Sequence, residues 1–327
     1  YMKTVLVTGG CGCLGSWVIK LLIEKKDKVI CLDTSSNINR LKLILDENYL
    51  KKISFNNIDI FDFENINKLI KKEKINFIVH LAAFQVPFVK SNPILGSRVN
   101  VEGTVVLYEC AVKNKNQIEG FVSASSIGVF GDKVIHNSNT IKEETVPYPL
   151  NLYGVYKLAN EGTGRIYFEE NKINSIILRP YIIYGPGRDQ GWTSAPTKAI
   201  LFKMLNKGYT IPFSGSIYLH YAKDCAEQFL LALESNLKGF NIFNVTGETI
   251  NISDFIKILN YAIPNDCLID QDFSKDFPIP SNIDISKNDK FFKIPELTNL
   301  TDGITETIDY LKHGIQNNLL PSSFIDV

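Results

Sequence analysis

Short apolar runs alternate with amphipathic stretches over the first 180 residues of this 327-residue chain. Runs rich in β-branched residues predict strands at 3–9, 28–33, 53–60, 76–83, 118–126 and 174–180. Helical spacing of apolar residues predicts helices at 14–26, 38–50, 64–74, 92–114 and 149–171. The strands are nearly continuous in apolar character, as in parallel strands covered on both faces. The pattern therefore predicts an α/β fold with a doubly wound parallel sheet of the Rossmann type.

The alternation breaks after Pro180, where a Gly- and Pro-rich stretch, 184–197, predicts a long loop. A helix at 222–235 and a strand at 240–247 are expected to rejoin the sheet. We therefore expect a cofactor-binding Rossmann domain made of residues 1–180 and about 214–247. A smaller mixed α/β lobe for the substrate is expected from about 181–213 and 248–327.

The amino-acid composition limits the kinds of binding partner that we expect. The chain has 35 Lys and Arg against 35 Asp and Glu, so nothing in its charge favours nucleic acid or an anionic membrane. No apolar run reaches the roughly 18–20 residues of a membrane span, and the chain enters a strand at once, so we expect no signal peptide and a cytoplasmic location. The six cysteines show no pairing rhythm, and we expect free thiols and no metal site.

A glycine-rich turn at residues 7–15, VTGGCGCLG, carries the first candidate chemistry. Its two cysteines raise the alternative of a thiol site, but the other cysteines offer no partner at metal-ligand spacing. Gly10-x-Gly12-x-x-Gly15 lies between a predicted strand and helix, and Asp33 ends the next strand. This context favours a dinucleotide-binding turn over an ordinary strand–helix turn, with the pyrophosphate at the helix N-terminus. Asp33 would bind the ribose hydroxyls and repel a 2′-phosphate, so we expect NAD rather than NADP.

A second candidate is Tyr153-x-x-x-Lys157 on a predicted helix. Residues four apart share a helix face, so the ammonium would lie near the phenol and lower its pKa. Tyr153 could then exchange a proton with a hydroxyl or ketone while hydride moves to or from nicotinamide. Tyr and Lys are common in helices, so the motif gains weight only beside the glycine turn. His80 is expected to be a packed strand histidine.

These motifs, in this order, resemble the extended short-chain dehydrogenase/reductase family, the NAD-dependent epimerase/dehydratase group. Further matching segments are HLAA (80–83), VNVEGT (99–104), SSIGVFG (125–131), RPYIIYGPG (179–187) and AKDCAE (222–227). The resemblance implies a catalytic set of Ser126, Tyr153 and Lys157, and a homodimer formed by helices at about 92–114 and 150–171. It implies cofactor contacts at Gly9, Gly12, Cys13, Leu14, Gly15, Asp33, Asp59, Ile60, Leu81, Ala82, Ala83, Asn100, Tyr153, Lys157 and Pro180.

The chain departs from the family pattern where the substrate would bind. Ile127 and Gly128 stand where dehydratases carry Asp-Glu, which disfavours dehydration. Ile182 stands at an Asn position, and Ile217 and Tyr221 at Arg and His positions, of nucleotide-sugar enzymes. A nucleotide pyrophosphate would be poorly paired without the arginine, and buried unpaired charge is costly.

These departures favour a small sugar, polyol or sugar acid as the substrate. Candidate substrate contacts are Gln85, Ser126, Tyr181, Arg188 and Trp192, although a solvated loop would equally account for the last two. The leading hypothesis is an NAD-dependent oxidoreductase acting on a secondary alcohol or ketone. The alternatives are a sugar epimerase, of free or nucleotide-linked sugars, that retains NAD, and a cofactor-binding scaffold without catalysis.

Overall fold

A computed structural model describes residues 2–136 and 140–325 of the chain. The strands are β1 Thr4–Thr8, β2 Lys28–Leu32, β3 Ile53–Asn56, β4 Phe77–His80, β5 Gly120–Ala124, β6 Thr140–Ile141, β7 Ser175–Arg179, β8 Ile182–Tyr184, β9 Tyr209–Ile211, β10 Ser216–Tyr221, β11 Phe240–Asn244, β12 Glu248–Asn251, β13 Ile269–Gln271 and β14 Asn282–Ile283. The helices are α1 Cys13–Glu24, α2 Asn39–Ile44, α3 Glu47–Leu50, α4 Phe63–Glu73, α5 Val86–Ser91, α6 Pro93–Ser97, α7 Gly103–Lys113, α8 Leu152–Asn171, α9 Ala195–Met204, α10 Ala222–Glu234, α11 Ile252–Ala262, α12 Asn288–Phe291, α13 Leu300–Gln316 and α14 Ser322–Ile325.

Seven parallel strands form the central sheet, in the order β11-β7-β5-β4-β1-β2-β3. β1 lies between β2 and β4, with Val5 opposite both Val29 and Phe77. Helices α1 and α10 pack together on one face, and α4, α7 and α8 cover the other. The middle strands are buried because both faces are covered, which accounts for their continuous apolar sequences. The predicted doubly wound Rossmann fold is confirmed.

A smaller lobe is built around a second sheet of three strands, β12-β10-β8, in which β10 runs parallel to β8 and antiparallel to β12. Helices α9, α11 and α13 pack around its apolar core. Within the segment expected to return to the central sheet, β11 and α10 do so, whereas β10 lies in the second sheet. β10 pairs there with β8. The strand β8 follows β7 directly in the chain and has an edge free for pairing with β10.

The helix predicted over 92–114 is interrupted. It consists of α6, a π-helical turn over Arg98–Glu102, and α7. Such turns are rare and often occur at functional sites. The turn carries Asn100, whose side chain accepts a hydrogen bond from Phe84 N at 2.7 Å and donates one to Phe84 O at 3.0 Å. These bonds tie the turn to the segment that follows β4.

None of the helices in the described part of the chain combines the length and the apolar character that a membrane crossing requires.

Candidate active site

A single cleft of about 670 Å³ lies at the carboxyl ends of the central strands, where the second lobe faces them. This is the edge at which open α/β sheets usually bind ligands. The cleft brings together residues from segments that are far apart in the chain. The sequence-predicted residues that line it are Gly9, Gly12, Cys13, Leu14, Gly15, Asp33, Asp59, Ile60, Leu81, Ala82, Ala83, Gln85, Ser126, Tyr153, Lys157, Pro180, Tyr181, Arg188 and Trp192.

The glycine turn after β1 has the shape of an anion cradle. Gly9 has a φ of +68°, and a Cβ there would come within 2.7 Å of Ala82 N. α1 begins at Cys13, and its N-cap, Gly12, gives the first turn no side-chain hydrogen bond. The N–H groups of that turn are therefore available to a phosphate, and the helix dipole adds favourable charge. These features fit the pyrophosphate of a dinucleotide.

The two cysteines of this turn have packing roles. Cys11 is buried and donates its backbone N–H to Asp33 Oδ2 at 2.9 Å. The thiol of Cys13 lies 3.7 Å from Pro186 O, and burial raises the pKa of Cys13 to about 11. All six cysteines are free thiols, and the described residues hold no group of three or more His, Cys, Asp or Glu that could bind a metal ion.

Asp33 and Asp59 mark the adenosine end of the cleft. Asp33 follows β2, and its carboxylate accepts hydrogen bonds from the backbone N–H groups of Cys11 and Ser35. Asp59 follows β3 and is exposed at the cleft edge. β2 and β3 lie on the opposite side of β1 from β5, the strand that Ser126 follows.

His80 is a structural residue. Its ring lies 2.7 Å from Thr8 Oγ1 through Nδ1 and 2.9 Å from Thr104 Oγ1 through Nε2. Burial, with a smaller effect of Lys157, lowers the pKa of His80 to about 3, so the ring is neutral. Thr8 Oγ1 also accepts from the N–H groups of Leu81 and Ala82, which fixes the backbone beside the cofactor position.

Asn100 is the one predicted cofactor residue that does not line the cleft. Its side chain is occupied by Phe84, and its carbonyl accepts from Asn160 Nδ2 of α8 at 2.7 Å. It therefore links the segment after β4 to the catalytic helix. The position of Asn100 outside the cleft does not support the expected direct cofactor contact.

The catalytic candidates converge at the opposite end of the cleft. Asn151 caps α8 through Gly154 N, which places Tyr153 in the first turn and Lys157 one turn later. Lys157 is buried and donates to Ala124 O at 2.7 Å, and its Nζ lies 5.7 Å from the Tyr153 ring centre. Ser126 follows β5 and lies within hydrogen-bonding reach of Tyr153.

The electrostatics of this end differ from the simple expectation. Burial raises the pKa of Tyr153, while the charge of Arg188 and a hydrogen bond with Ser126 act to lower it. The net change is an increase, so the expected lowering of the Tyr153 pKa by Lys157 is not observed, and Arg188 only partly offsets the effect of burial. Burial also lowers the pKa of Lys157 to about 8, and the charge of Glu161 opposes that effect. The pKa values of the phenol and the ammonium are thereby moved apart, with that of Lys157 below that of Tyr153.

A buried ion pair between α8 and β7 is not predicted by the sequence. Arg179 donates Nε and Nη2 to the two Glu161 oxygens at 2.7 Å each, and the Ser125 hydroxyl donates to the same carboxylate. Glu161 lies one helical turn after Lys157, and Arg179 is the last residue of β7. The i, i+4 spacing from Lys157 was the only sequence signal for this acid.

Aromatic side chains line the part of the cleft where the substrate is expected to bind. Trp192 is stacked on Phe277 at 5.2 Å between ring centres and meets Phe213 edge-on at 4.7 Å. Tyr181 donates its hydroxyl to Ile279 O at 2.7 Å. Phe277 and Ile279 both line the cleft, although they come from a stretch of the second lobe that carries no motif.

Arg188 projects from the same wall. Its Nη2 donates to Thr193 Oγ1 at 2.7 Å, and its buried Nε has no hydrogen-bond partner among the described residues. Gln85 is exposed at the opposite rim of the cleft. The neighbouring Asp189 is paired with Arg40 of α2, an ion pair between parts of the chain that no sequence pattern connects.

The departures from the family pattern are apolar in the structure as well. Ile182 lies on the cleft wall, whereas Ile217 is fully buried in the core of the second lobe. Tyr221 is buried and donates its hydroxyl to Glu306 Oε2 at 2.8 Å. None of the three supplies a cation to the cleft.

Known proteins resemble this chain in sequence and in fold. The family model described as GDP-mannose 4,6 dehydratase matches residues 6–300. A dTDP-D-glucose 4,6-dehydratase of Dictyostelium discoideum is 31% identical over 282 residues, which are 80% of this chain and 63% of that protein.

Two solved structures have the same fold. The UDP-glucose 4-epimerase of Thermotoga maritima superposes with a TM-score of 0.82 at 23% identity, covering 96% of this chain and 100% of that one. The UDP-glucuronic acid 4-epimerase of Bacillus cereus, solved with UDP-glucuronic acid and NAD, gives 0.80 at 25% identity, covering 95% and 99%. The family model matches most of the length of this chain. The chain therefore belongs to the GDP-mannose 4,6 dehydratase family, within the NAD-dependent epimerase/dehydratase enzymes of the extended short-chain dehydrogenase type.

Proposed function

We propose that the protein is an NAD-dependent sugar epimerase. It would oxidise a secondary hydroxyl of a sugar to a ketone and reduce that ketone on its other face, with the cofactor retained. The observation that carries the proposal is the convergence of Ser126, Tyr153 and Lys157 at one end of a cleft whose other end is the glycine cradle.

The residues of the chain divide the chemistry as follows. The phenolic oxygen of Tyr153 takes the proton from the substrate hydroxyl and later returns it to the ketone oxygen. Ser126 donates a hydrogen bond to the same oxygen, and the charge of Arg188 favours the phenolate of Tyr153. The ammonium of Lys157 lies beside the Tyr153 ring on the same helix. Bound NAD supplies the hydride acceptor and donor.

The cleft itself disfavours elimination of water. Ile127 is buried, and Gly128 has no side chain to act as acid or base. The carboxylates that line the cleft in residues 2–136 and 140–325 are Asp33, Asp59 and Asp189. The first two follow β2 and β3, at least three strand positions from β5, and strands lie about 4.8 Å apart. The third is paired with Arg40.

A direct test supplies a panel of sugars to the purified full-length protein. UDP-glucose and UDP-glucuronic acid represent the ligands of the two solved relatives, and glucuronate and galacturonate represent free sugar acids. An epimerase gives an epimeric product by NMR with no lasting absorbance change at 340 nm. A stoichiometric rise at 340 nm with added NAD contradicts retention of the cofactor.

A second candidate is a dehydrogenase of a small sugar acid, favoured by the buried positions of Ile182 and Ile217. The cations that line the cleft within the described ranges are Arg40, Lys157 and Arg188. Arg40 is paired with Asp189 and Lys157 is bound to Ala124 O, which leaves Arg188 for an anionic substrate. A single carboxylate suits one guanidinium better than a pyrophosphate does.

The protein is proposed to act as a homodimer through α6, α7 and α8. Leu152, Val155 and Ile166 of α8 are exposed apolar residues, and the last two are eleven positions apart, on one helix face. Light scattering after size-exclusion chromatography tests this proposal: Val155→Glu should halve the measured mass, while the exposed Ile315→Glu of α13 should not change it.

A further inference from the structure

The ion pair between Arg40 and Asp189 faces the cofactor cleft from two parts of the chain. Arg40 donates Nε to Asp189 Oδ2 at 3.0 Å and Nη2 to Oδ1 at 2.6 Å. This is the bidentate arrangement that guanidinium groups form with carboxylates and phosphates. Asp189 is buried on the loop between β8 and α9, so the pair joins the adenosine end of the cleft to the second lobe.

Arg40 also lies beside Asp33. Both side chains line the cleft, and the Asp33 charge acts on the guanidinium. Burial acts to lower the pKa of Arg40, but the bond and charge of Asp189, with a smaller effect of Asp33, hold that pKa above its usual value. The guanidinium is therefore paired with Asp189 and within range of the Asp33 charge, at the end of the cleft where the adenosine ribose is expected.

An arginine in this region is what a dinucleotide-binding domain uses to accommodate the 2′-phosphate of NADP. Here the fork of the guanidinium is already occupied by Asp189. A 2′-phosphate would therefore meet the carboxylates of Asp33 and Asp189, with the charge of Arg40 already balanced.

We propose that Asp189 is a second determinant of NAD selectivity, acting from the second lobe by withholding Arg40 from the 2′-phosphate of NADP. Asp33 supplies the repulsion expected from the sequence, and Asp189 removes the attraction that Arg40 would otherwise offer. The inference rests on the proposed NAD-dependent function but concerns cofactor binding alone.

The test is a titration of the full-length protein with NADH and with NADPH, followed by nucleotide fluorescence without any sugar. Asp189→Asn keeps the size of the side chain and frees the guanidinium. The affinity for NADPH should rise about tenfold, and the affinity for NADH should change less than threefold. Asp189→Ser serves as a second variant if the first fails to fold, with melting temperature as the check on folding.

The double variant Arg40→Gln with Asp189→Asn separates the two physical explanations. If the freed guanidinium binds the phosphate, the gain in NADPH affinity disappears in the double variant. A gain that persists there shows simple repulsion by Asp189 and overturns the inference, as does unchanged NADPH affinity in folded single variants. Wild-type protein that binds neither nucleotide after any retained NAD has been removed refutes the proposed function instead.

Discussion

The two ends of the cleft are built by different means. At the cofactor end, short loops at the carboxyl ends of adjacent parallel strands supply backbone N–H groups and fixed side chains, as at Gly9, Gly12 and Asp33. At the substrate end, side chains from three distant segments meet, as Trp192, Phe213 and Phe277 do. The cofactor end therefore depends on the sheet, and the substrate end depends on how the second lobe packs against it.

The proposed catalytic residues lie in the cleft at the end opposite the glycine cradle, and the largest expected effect is there. Tyr153→Phe removes the proton-exchanging oxygen, so turnover of the substrate found in the sugar panel should fall about 10²- to 10⁴-fold. NADH titration should be nearly unchanged, because the glycine cradle is untouched.

Tyr156→Phe is the matched control, because the Tyr156 hydroxyl contacts Pro93 O outside the cleft. Equal activity of Tyr153→Phe and Tyr156→Phe would show that the chemistry is assigned to the wrong residue.

The buried ion pair of Glu161 and Arg179 lies next to the proposed catalytic residues, because Glu161 is one helical turn after Lys157. Glu161→Gln leaves the Arg179 charge without its counter-charge, which should lower the free energy of unfolding by about 3–5 kcal/mol in urea. The exposed pair of Arg165 and Glu169 on the same helix is the control, and Glu169→Gln should cost less than about 1 kcal/mol. Similar losses in the two variants would show that the buried pair gives no special support.

The dependence of the free energy of unfolding on acidic pH allows the two sheets to be compared. Burial lowers the pKa of His80, in the central sheet, to about 3 and that of His220, in the second sheet, to about 4. Below about pH 6.5 each histidine takes a proton in the unfolded chain but not in the folded one, so stability falls as the pH falls toward 4. Each contributes a slope of at most about 1.4 kcal/mol per pH unit.

Urea unfolding at pH 7, 6 and 5 measures these slopes. His80→Gln and His220→Gln should each reduce the slope, and the exposed His313→Gln should leave it as in the wild type. A reduction in only one of the two buried variants would show which sheet sets acid stability.

The smallest effect is expected at the aromatic wall. Trp192→Ala removes one stacked ring, and such pairs contribute about 0.5–1.5 kcal/mol, so the KM for the substrate should rise about 2- to 10-fold. The NADH affinity should stay within twofold. A change in NADH affinity as large as that in KM would place Trp192 at the cofactor instead of the substrate.

The sequence predicts the cofactor end from signals that are local. The glycine turn, Asp33 after the next strand and Tyr153-x-x-x-Lys157 each need only neighbours in the chain or on one helix face. The aromatic partners of Trp192 were missed because nothing near Phe277 has a periodic or motif signal. Asn100 lies outside the cleft because a π-helical turn directs its side chain to the backbone of Phe84.

By itself, the sequence determined the parallel sheet, the glycine cradle and the catalytic face of α8. These follow from side-chain periodicity and from the conformational demands of a tight turn, which act over a few residues. Only the tertiary structure decided that β10 joins the second sheet, that Arg188 acts on Tyr153, and that Arg40 is held by Asp189. These outcomes depend on packing and charge between residues far apart in the chain, where energy is set by distance in space and not by separation in sequence.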